Sequence, residues 1–452
     1  MAYPTRNSNL TGLPTNAPLK PGDEPDPRRL ISNDIKAGPG ATGAYPAPTM
    51  RTSREPLAGG VRGSRENLGV SQSIAGSYSA LSESGFDSRS GIGKKGKLMG
   101  SFGNLHRKEP VINGMLRSRM IREEDSEIYT VKFSPDDEYV AVGCGNAKIQ
   151  VYSTRANDLA QTLSSPADTK VPCTCICFRP DASVYRNRNV LAASFADGKL
   201  IHYHYTSGQL ISVIDEDENQ INCVSYSADG KQFVTGGSDM HLRIYDGVTQ
   251  KETLKMFTGR GDTTAGHSSK IFAVKFHPKD PKFLISAGWD NTIQMWDQRA
   301  RCSIRSIYRP FICGDSLDFD SSGDRILSGS YLKEDPLQIW SWQTGHLIQT
   351  VPWSILENEK RHCLLYSAQF SKGPSEENKN RFIVAGGGGP NNEIKVFDAR
   401  NGRAVGMVTN LANAVFSVAI SHNDSMIALG GGGKTLYLYD VDTATNVTDF
   451  VY

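Results

Sequence analysis

A large apolar residue closing a short alternating strand recurs at a steady interval through most of the chain. The successive separations of these anchor residues are 45, 48, 50, 43, 51 and 50, and the anchors are Phe133, Phe178, Tyr226, Phe276, Phe319, Phe370 and Ile420. A unit of about 47 residues has room for four short strands. A small sheet of this kind buries its faces only against its neighbours, so the units must stack, and closure into a ring removes the exposed terminal sheets. The sequence therefore predicts an all-β ring of seven units.

The fourth unit carries the most informative motifs, which are Gly266-His267, Ser286-Ala287-Gly288-Trp289-Asp290 and Trp296-Asp297. Residues 122–452 resemble the WD-repeat family of β-propellers, and this resemblance implies a seven-bladed β-propeller. In that family a His, a turn Asp, a strand Ser and a Trp form a hydrogen-bonded structural tetrad. The resemblance assigns these roles here to His267, Asp290, Ser286 and Trp296.

The other units depart from that pattern. The third has Thr235, Asp239 and Tyr245 but no matching His, and the fifth has Trp340 followed by Ser341. How the ring closes is open at this stage. In the family an N-terminal strand usually completes the last blade, for which Met115–Ile121 is available, but residues 447–452 could also be an outer strand.

Residues 1–110 differ in composition from the rest of the chain. They contain 11 of the 22 prolines and 16 of the 44 glycines, with no sustained apolar period. Such a segment cannot bury enough apolar surface to offset the entropy of ordering, so we expect a disordered tail. The predicted organisation is a tail over 1–110, a connecting segment or closing strand over 111–121, and a propeller over 122–452.

The tail also carries the positive charge of the chain. Lys and Arg number 15 there against 9 Asp and Glu, a charge of +6, which leaves −4 for the remainder of a chain whose net charge is +2. Basic residues precede Ser53, Ser64 and Ser101, an arrangement that suits a basophilic kinase, and phosphate would invert the local charge. These three serines are candidate phosphorylation sites.

Two glycine-rich stretches resemble nucleotide-binding motifs without the required context. Ala428–Thr435 nearly matches a phosphate-binding loop, but a strand pattern follows it where a helix N-terminus is needed. We interpret it as a turn between strands. Gly91–Gly96 fits a dinucleotide fingerprint but lies in the tail, with no strand before it and no helix after it.

Side chains that could bind a metal or act as acid and base also occur, and we interpret them as structural. Cys173, Cys175 and Cys177 alternate, as do His202 and His204. Period-2 spacing places alternate side chains on one face of a strand, where cysteine usually acts as a small apolar residue. The acidic runs Glu123–Asp125 and Asp215–Glu218 are interpreted as solvated loop charge. We expect no metal, no cofactor and no enzymatic activity.

A protein-binding face is the remaining candidate site. The residues four positions before each anchor are Tyr129, Thr174, Asn222, Phe272, Asp315, Tyr366 and Phe416. In the family this position borders the top face around the central channel, and Trp289 lies at another position that the family exposes there. Exposed aromatic residues would anchor a peptide, with Trp289 and Phe272 the best candidates. Alternatively, Tyr129 extends the buried stripe of its strand.

These observations favour a non-enzymatic scaffold or adaptor whose faces bind protein partners in a larger assembly, with the tail as a tether or phosphoregulated arm. The alternative is a nucleic-acid- or microtubule-binding protein that contacts an acidic polymer through its basic tail. The sequence contains no run of 18 apolar residues, so we expect no membrane-spanning helix. No apolar stretch follows Met1–Arg6, so we expect no secretory signal. We therefore expect a cytoplasmic protein, with the nucleus, the cytoskeleton or the cilium as alternatives.

Overall fold

A computed structural model describes residues 110–166, 170–180, 188–261, 264–354, 362–373, 375 and 378–442. Within these ranges the chain forms 29 strands and no helix. The strands, in chain order, are β1 (Val111–Gly114), β2 (Leu116–Glu123), β3 (Ile128–Phe133), β4 (Tyr139–Cys144), β5 (Lys148–Ser153), β6 (Asp158–Ser164), β7 (Cys173–Phe178), β8 (Val190–Phe195), β9 (Lys199–His204), β10 (Gln209–Asp215), β11 (Ile221–Tyr226), β12 (Gln232–Gly237), β13 (Leu242–Asp246), β14 (Glu252–Met256), β15 (Ile271–Phe276), β16 (Phe283–Gly288), β17 (Thr292–Asp297), β18 (Cys302–Tyr308), β19 (Leu317–Phe319), β20 (Arg325–Gly329), β21 (Leu337–Ser341), β22 (Leu347–Val351), β23 (Leu364–Phe370), β24 (Phe382–Gly388), β25 (Glu393–Asp398), β26 (Ala404–Thr409), β27 (Val415–Ile420), β28 (Met426–Gly431) and β29 (Thr435–Val441).

The strands form seven antiparallel sheets arranged as the blades of a closed ring, which confirms the predicted seven-bladed propeller. Blades one to five are β3–β6, β7–β10, β11–β14, β15–β18 and β19–β22, and blades six and seven are built on β23–β26 and β27–β29. The first strand of each blade lies innermost and contacts the first strands of its two neighbours. The predicted tail over 1–110 lies almost wholly outside the described residues.

Both ends of the blade sequence meet at the ring closure. Strand β2 pairs with β29 from Leu116 opposite Val441 to Glu123 opposite Thr435, and so forms the outer strand of the seventh blade. Strand β1 pairs with β26 and adds a fifth strand to the sixth blade. The N-terminal segment therefore closes the ring, while residues 447–452 lie outside the described part of the chain.

Two kinds of connection lie at the same end of the ring: the turn between the second and third strands of a blade, and the connection from one blade to the next. In the first blade Ile128 at the start of β3 pairs with Cys144 at the end of β4, and Lys148 at the start of β5 pairs with Ser164 at the end of β6. The β4–β5 turn and the β6–β7 connection therefore lie where the inner strand begins. We call this end the top face and the opposite end the bottom face.

The hydrophobic core lies between adjacent blades. All seven anchor residues are buried, from Phe370 at 0% exposed to Phe178 at 8%. Burying one such side chain contributes about 2 kcal/mol relative to its exposed state. The recurring anchor therefore reflects the need of every blade to pack against the next one. Among the described residues no helix is long and apolar enough to cross a membrane.

Candidate binding face at the mouth of the channel

In the fourth blade a chain of hydrogen bonds runs through the four residues proposed as the structural tetrad. Trp296 Nε1 donates to Ser286 Oγ at 2.8 Å, His267 Nε2 lies 2.6 Å from the same oxygen, and His267 Nδ1 lies 2.7 Å from Asp290 Oδ2. The indole can only donate and the carboxylate only accepts, which fixes the direction of the chain from Trp296 to Asp290. Burial alone would raise the pKa of Asp290, but hydrogen bonds from His267, Ser268 and Thr292 hold it below its ordinary value.

The third blade forms an equivalent network around a carboxylate instead of a histidine. Glu216 Oε1 accepts from Tyr245 at 2.8 Å and from Thr235 at 2.5 Å, while Oε2 accepts from Asn219 at 2.6 Å. Arg243 Nη1 lies 3.2 Å from that second oxygen. The interpretation of residues 215–218 as solvated loop charge is therefore wrong for Glu216, whose side chain is 1% exposed.

The first blade offers a second case of this kind. Glu124 accepts a hydrogen bond from Tyr152 at 2.6 Å, and burial raises the pKa of Glu124. In both blades a tyrosine stands where the fourth blade has Trp296, and its hydroxyl donates to a glutamate of the preceding loop. In these two blades tyrosine replaces the tryptophan and glutamate replaces the histidine of the fourth blade. In the sequence, only Tyr152 and Tyr245 indicate this combination.

β-Bulges set the orientation of the residues that begin the inner strands. In six blades the pairing between the first two strands shifts by one residue at this point. A bulge adds an unpaired residue and redirects its side chain. The bulged residues are Tyr129, Thr174, Asn222, Phe272, Tyr366 and Phe416. They therefore leave the in–out alternation of their strands, so Tyr129 does not simply continue the stripe of Val131 and Phe133.

All seven entry residues line one cavity at the top of the channel. The six bulged residues and Asp315 surround it together with four of their neighbours in the sequence. The cavity measures about 30 Å³, enough for about two water molecules. A side chain as long as arginine does not fit into this space, so a ligand would contact the rim of the mouth.

The aromatic residues of the mouth are exposed to different extents. Trp289 is partly exposed and stacks on Phe272 with ring centroids 5.0 Å apart. The expectation that Phe272 is also exposed is wrong, because it lies beneath that indole and is only 6% exposed. Tyr366 is equally buried, at 6%, whereas Tyr129 and Phe416 are partly exposed and stack at 5.7 Å.

Asp315 lies in the mouth, but its carboxylate is already paired. Lys132 Nζ donates to Oδ2 at 2.5 Å and Lys275 Nζ to Oδ1 at 2.8 Å. Burial alone would raise the pKa of Asp315, but the two ammonium groups hold it well below its ordinary value. Asp315 therefore links blades one, four and five, which sequence reasoning did not anticipate.

The alternating cysteines do not share one face of their strand. The bulge at Thr174 separates Cys173 from Cys175, so Cys173 packs with the cluster around Ile176 and Cys175 with the cluster around Tyr226. The one-face expectation is wrong for this pair. Across the described residues no three His, Cys, Asp or Glu side chains are grouped as metal ligands.

The glycine-rich stretch of the seventh blade is a turn between strands. Gly431 ends β28, Thr435 begins β29, and Lys434 adopts a φ of 57° between them. No helix follows that could hold a phosphate. The candidate phosphorylation sites Ser53, Ser64 and Ser101 lie outside the described residues and stay predictions.

Comparison with known proteins gives the same repeat. The family model WD40, described as "WD domain, G-beta repeat", matches residues 117–153, 208–246 and 260–297. These segments include most of β2 at the ring closure and the first three strands of blades one, three and four.

Several curated proteins are similar over part of their length. They include "Cell division cycle 20.1, cofactor of APC complex" of Arabidopsis thaliana, 23% identical over 49% of this chain and 46% of that protein. "WD repeat-containing protein slp1" of Schizosaccharomyces pombe is 22% identical over 54% of this chain and 46% of its own length. "WD repeat-containing protein 1" of Mus musculus is 29% identical over 28% of this chain and 18% of its own length. The chain thus spans less than half the length of these relatives.

Proposed function

Because this chain belongs to the WD-repeat family of β-propellers, we propose that it is a non-enzymatic scaffold that binds a peptide segment of a partner protein at the channel mouth. The observation that carries the proposal is the convergence of all seven entry residues on one cavity. Six separate bulges are needed to produce it, and bulges are over-represented where a fold aims side chains at a site. The relatives that share the repeat include one whose name describes a cofactor of a complex, which is in keeping with an adaptor.

The partly exposed aromatic rings suit such a partner. Trp289 lies in the turn after β16 and stacks on Phe272 below it and on Phe311, whose ring centroid is 6.4 Å away. A large aromatic surface held on its neighbours loses little conformational freedom on binding, which favours tight anchoring. The narrow cavity leaves the rim as the contact surface.

The test compares two tryptophans at opposite ends of the ring. Proximity labelling with full-length protein is carried out for wild type, Trp289→Ala and Trp342→Ala. Trp342 is also partly exposed, but it follows β21 at the bottom face and packs on His277 and Phe319. We expect Trp289→Ala to lose partners that Trp342→Ala retains. An unchanged set of partners in a folded Trp289→Ala protein would rule out the top face as the binding surface.

The tail is proposed as a tether or phosphoregulated arm of this scaffold, in a cytoplasmic location. Its support is the +6 charge of residues 1–110 and the basic residues before Ser53, Ser64 and Ser101. The full-length protein with all three serines changed to alanine is compared with wild type by phosphopeptide mass spectrometry, proximity labelling and imaging. Absence of phosphate at these serines in wild type would overturn the regulatory role.

A further inference from the structure

Building on the proposed peptide-binding role of the channel mouth, we infer that the peptide it recognises combines an aromatic or bulky apolar anchor with lysine or arginine residues. The aromatic anchor lies on the rim formed by blades four to seven. The basic residues lie over the acidic loops of blades one to three. The two halves of this peptide motif thus bind different parts of the top face.

The aromatic half consists of two groups of stacked rings on the later blades, and Tyr129 of the first blade extends one of them. Tyr331 and Tyr366 have ring centroids 5.0 Å apart, Tyr366 and Phe416 are 5.3 Å apart, and Phe416 stacks on Tyr129. The pair of Trp289 and Phe311 extends the aromatic surface over the fourth and fifth blades. Partly exposed rings that rest on other rings form a rigid apolar surface, to which a flexible peptide binds through a ring or a long aliphatic side chain.

The acidic half lies in the top loops of the first three blades. Asp215 is exposed at the end of β10, Asp217 and Glu218 are exposed in the connection that follows it, and Asp125 is exposed in the connection before β3. Lys199 lies 3.0 Å from Asp197 and 3.9 Å from Asp215, so its one charge offsets only part of the negative charge of these loops. The pair of Lys148 and Asp125, at 3.4 Å with side chains 42% and 77% exposed, is only weakly coupled in water. The surplus charge of these loops is negative, so it attracts a basic segment.

The side chains in the channel repel a cation from the centre of the ring. Two ammonium groups, Lys132 and Lys275, contact the carboxylate of Asp315. The carboxylate of Asp318 also acts on Lys275, and it is paired with Lys372 at 2.9 Å. These three lysines and two aspartates carry one net positive charge, and the cavity at the mouth holds only about two water molecules. A lysine or arginine of the ligand is therefore repelled from the channel and lies over the outer loops.

The test selects peptides without assuming a sequence. A library of random peptides displayed on phage is enriched on immobilised full-length protein, and the best peptide is synthesised. We expect an aromatic residue together with two or more Lys or Arg, and a dissociation constant that rises with NaCl concentration because exposed charges are screened. We expect the variant with Asp217→Lys and Glu218→Lys to bind about tenfold more weakly at physiological salt.

A matched variant controls for the overall charge. The changes Glu138→Lys and Asp158→Lys reverse two exposed carboxylates at the bottom end of the first blade, and binding should stay as in wild type. An enriched peptide without basic residues that still requires Trp289 would overturn this inference and leave the proposed function intact. Basic peptides that bind equally well to Trp289→Ala and to the charge-reversed top loops, or a library with no enriched peptide, would overturn both.

Discussion

Lys132 of the first blade and Asp315 of the fifth lie on opposite sides of the channel, and the ammonium group donates to the carboxylate across it at 2.5 Å. Lys275 of the neighbouring fourth blade approaches the other carboxylate oxygen at 2.8 Å. The three side chains are 17–23% exposed, so the channel screens their charges less than bulk water does. A single carboxylate thus connects distant parts of the ring below the proposed binding rim.

Replacing Asp315 by the isosteric asparagine removes the carboxylate that both ammonium groups contact in a confined space. We expect Asp315→Asn to lower the free energy of unfolding by about 3 kcal/mol, since removing one partner of a buried pair is costly. Urea unfolding followed by tryptophan fluorescence measures this change.

The matched control is Asp335→Asn. Asp335 pairs with Arg309 at 2.8 Å, but both side chains are 47% exposed, so the expected loss is below about 1 kcal/mol. Equal effects of the two substitutions would contradict a stabilising role for the cross-channel pair.

The contribution of Asp315 should depend on pH in a defined direction. Burial would raise its pKa, but Lys132 and Lys275 lower it well below the unfolded value of about 3.9. A carboxyl with a lowered pKa stabilises the fold above the unfolded pKa, and this stabilisation is lost as the pH falls toward the folded pKa. The stability difference between wild type and Asp315→Asn should therefore be constant from about pH 5 to pH 8 and shrink below about pH 4. Unfolding curves across that range measure it, and a difference that grows in acid would contradict the pairing.

The ring of blades could be predicted from the sequence because its cause is local and repeated. Every blade must bury one large apolar residue against the next, so Phe133 and its six counterparts recur at a nearly constant interval. The fourth-blade motif was equally explicit, since His267, Ser286 and Trp296 are all present in the expected order.

The bulges and the carboxylate-centred networks could not be predicted in the same way. Ile128–Phe133 shows a continuous alternation, and nothing in it marks Tyr129 as the residue that leaves the ladder. Glu216 stands in a run of four acidic residues, three of which are exposed. Only the packing around Tyr245 distinguishes the buried one, and such packing is a tertiary property.

The tetrad of the fourth blade should contribute more to stability than the shorter network of the fifth. Ser286 Oγ joins Trp296 Nε1 and His267 Nε2, so Ser286→Ala leaves two buried polar groups unsatisfied. Ser328 Oγ accepts only the indole N–H of Trp340, at 2.9 Å, among the contacts of the described residues. We expect losses of about 2–4 kcal/mol for Ser286→Ala and about 1–2 kcal/mol for Ser328→Ala. Thermal or urea unfolding of the two variants measures them, and a larger loss for Ser328→Ala would contradict the assigned network.

Asp424, in the bottom turn of the seventh blade, should destabilise the protein when it ionises. Burial, together with the charge of Asp137, raises the pKa of Asp424 to about 6, although hydrogen bonds from Ser371 and Gly373 and the charge of Arg381 oppose the shift. A carboxyl with a raised pKa favours the fold below its unfolded value of about 3.9, and this advantage is lost as the pH rises through the folded pKa.

Asp424→Asn tests this directly, because asparagine has the same shape and tolerates the φ of 59° at this position. We expect the variant to be more stable than wild type by about 1–2 kcal/mol at pH 8 and equally stable near pH 4. Urea unfolding at the two pH values measures the stability difference between the variant and wild type. This difference should develop between about pH 4 and pH 7. Greater stability of wild type at pH 8 would mean that the ionised carboxylate is satisfied in this turn and that its burial carries no cost.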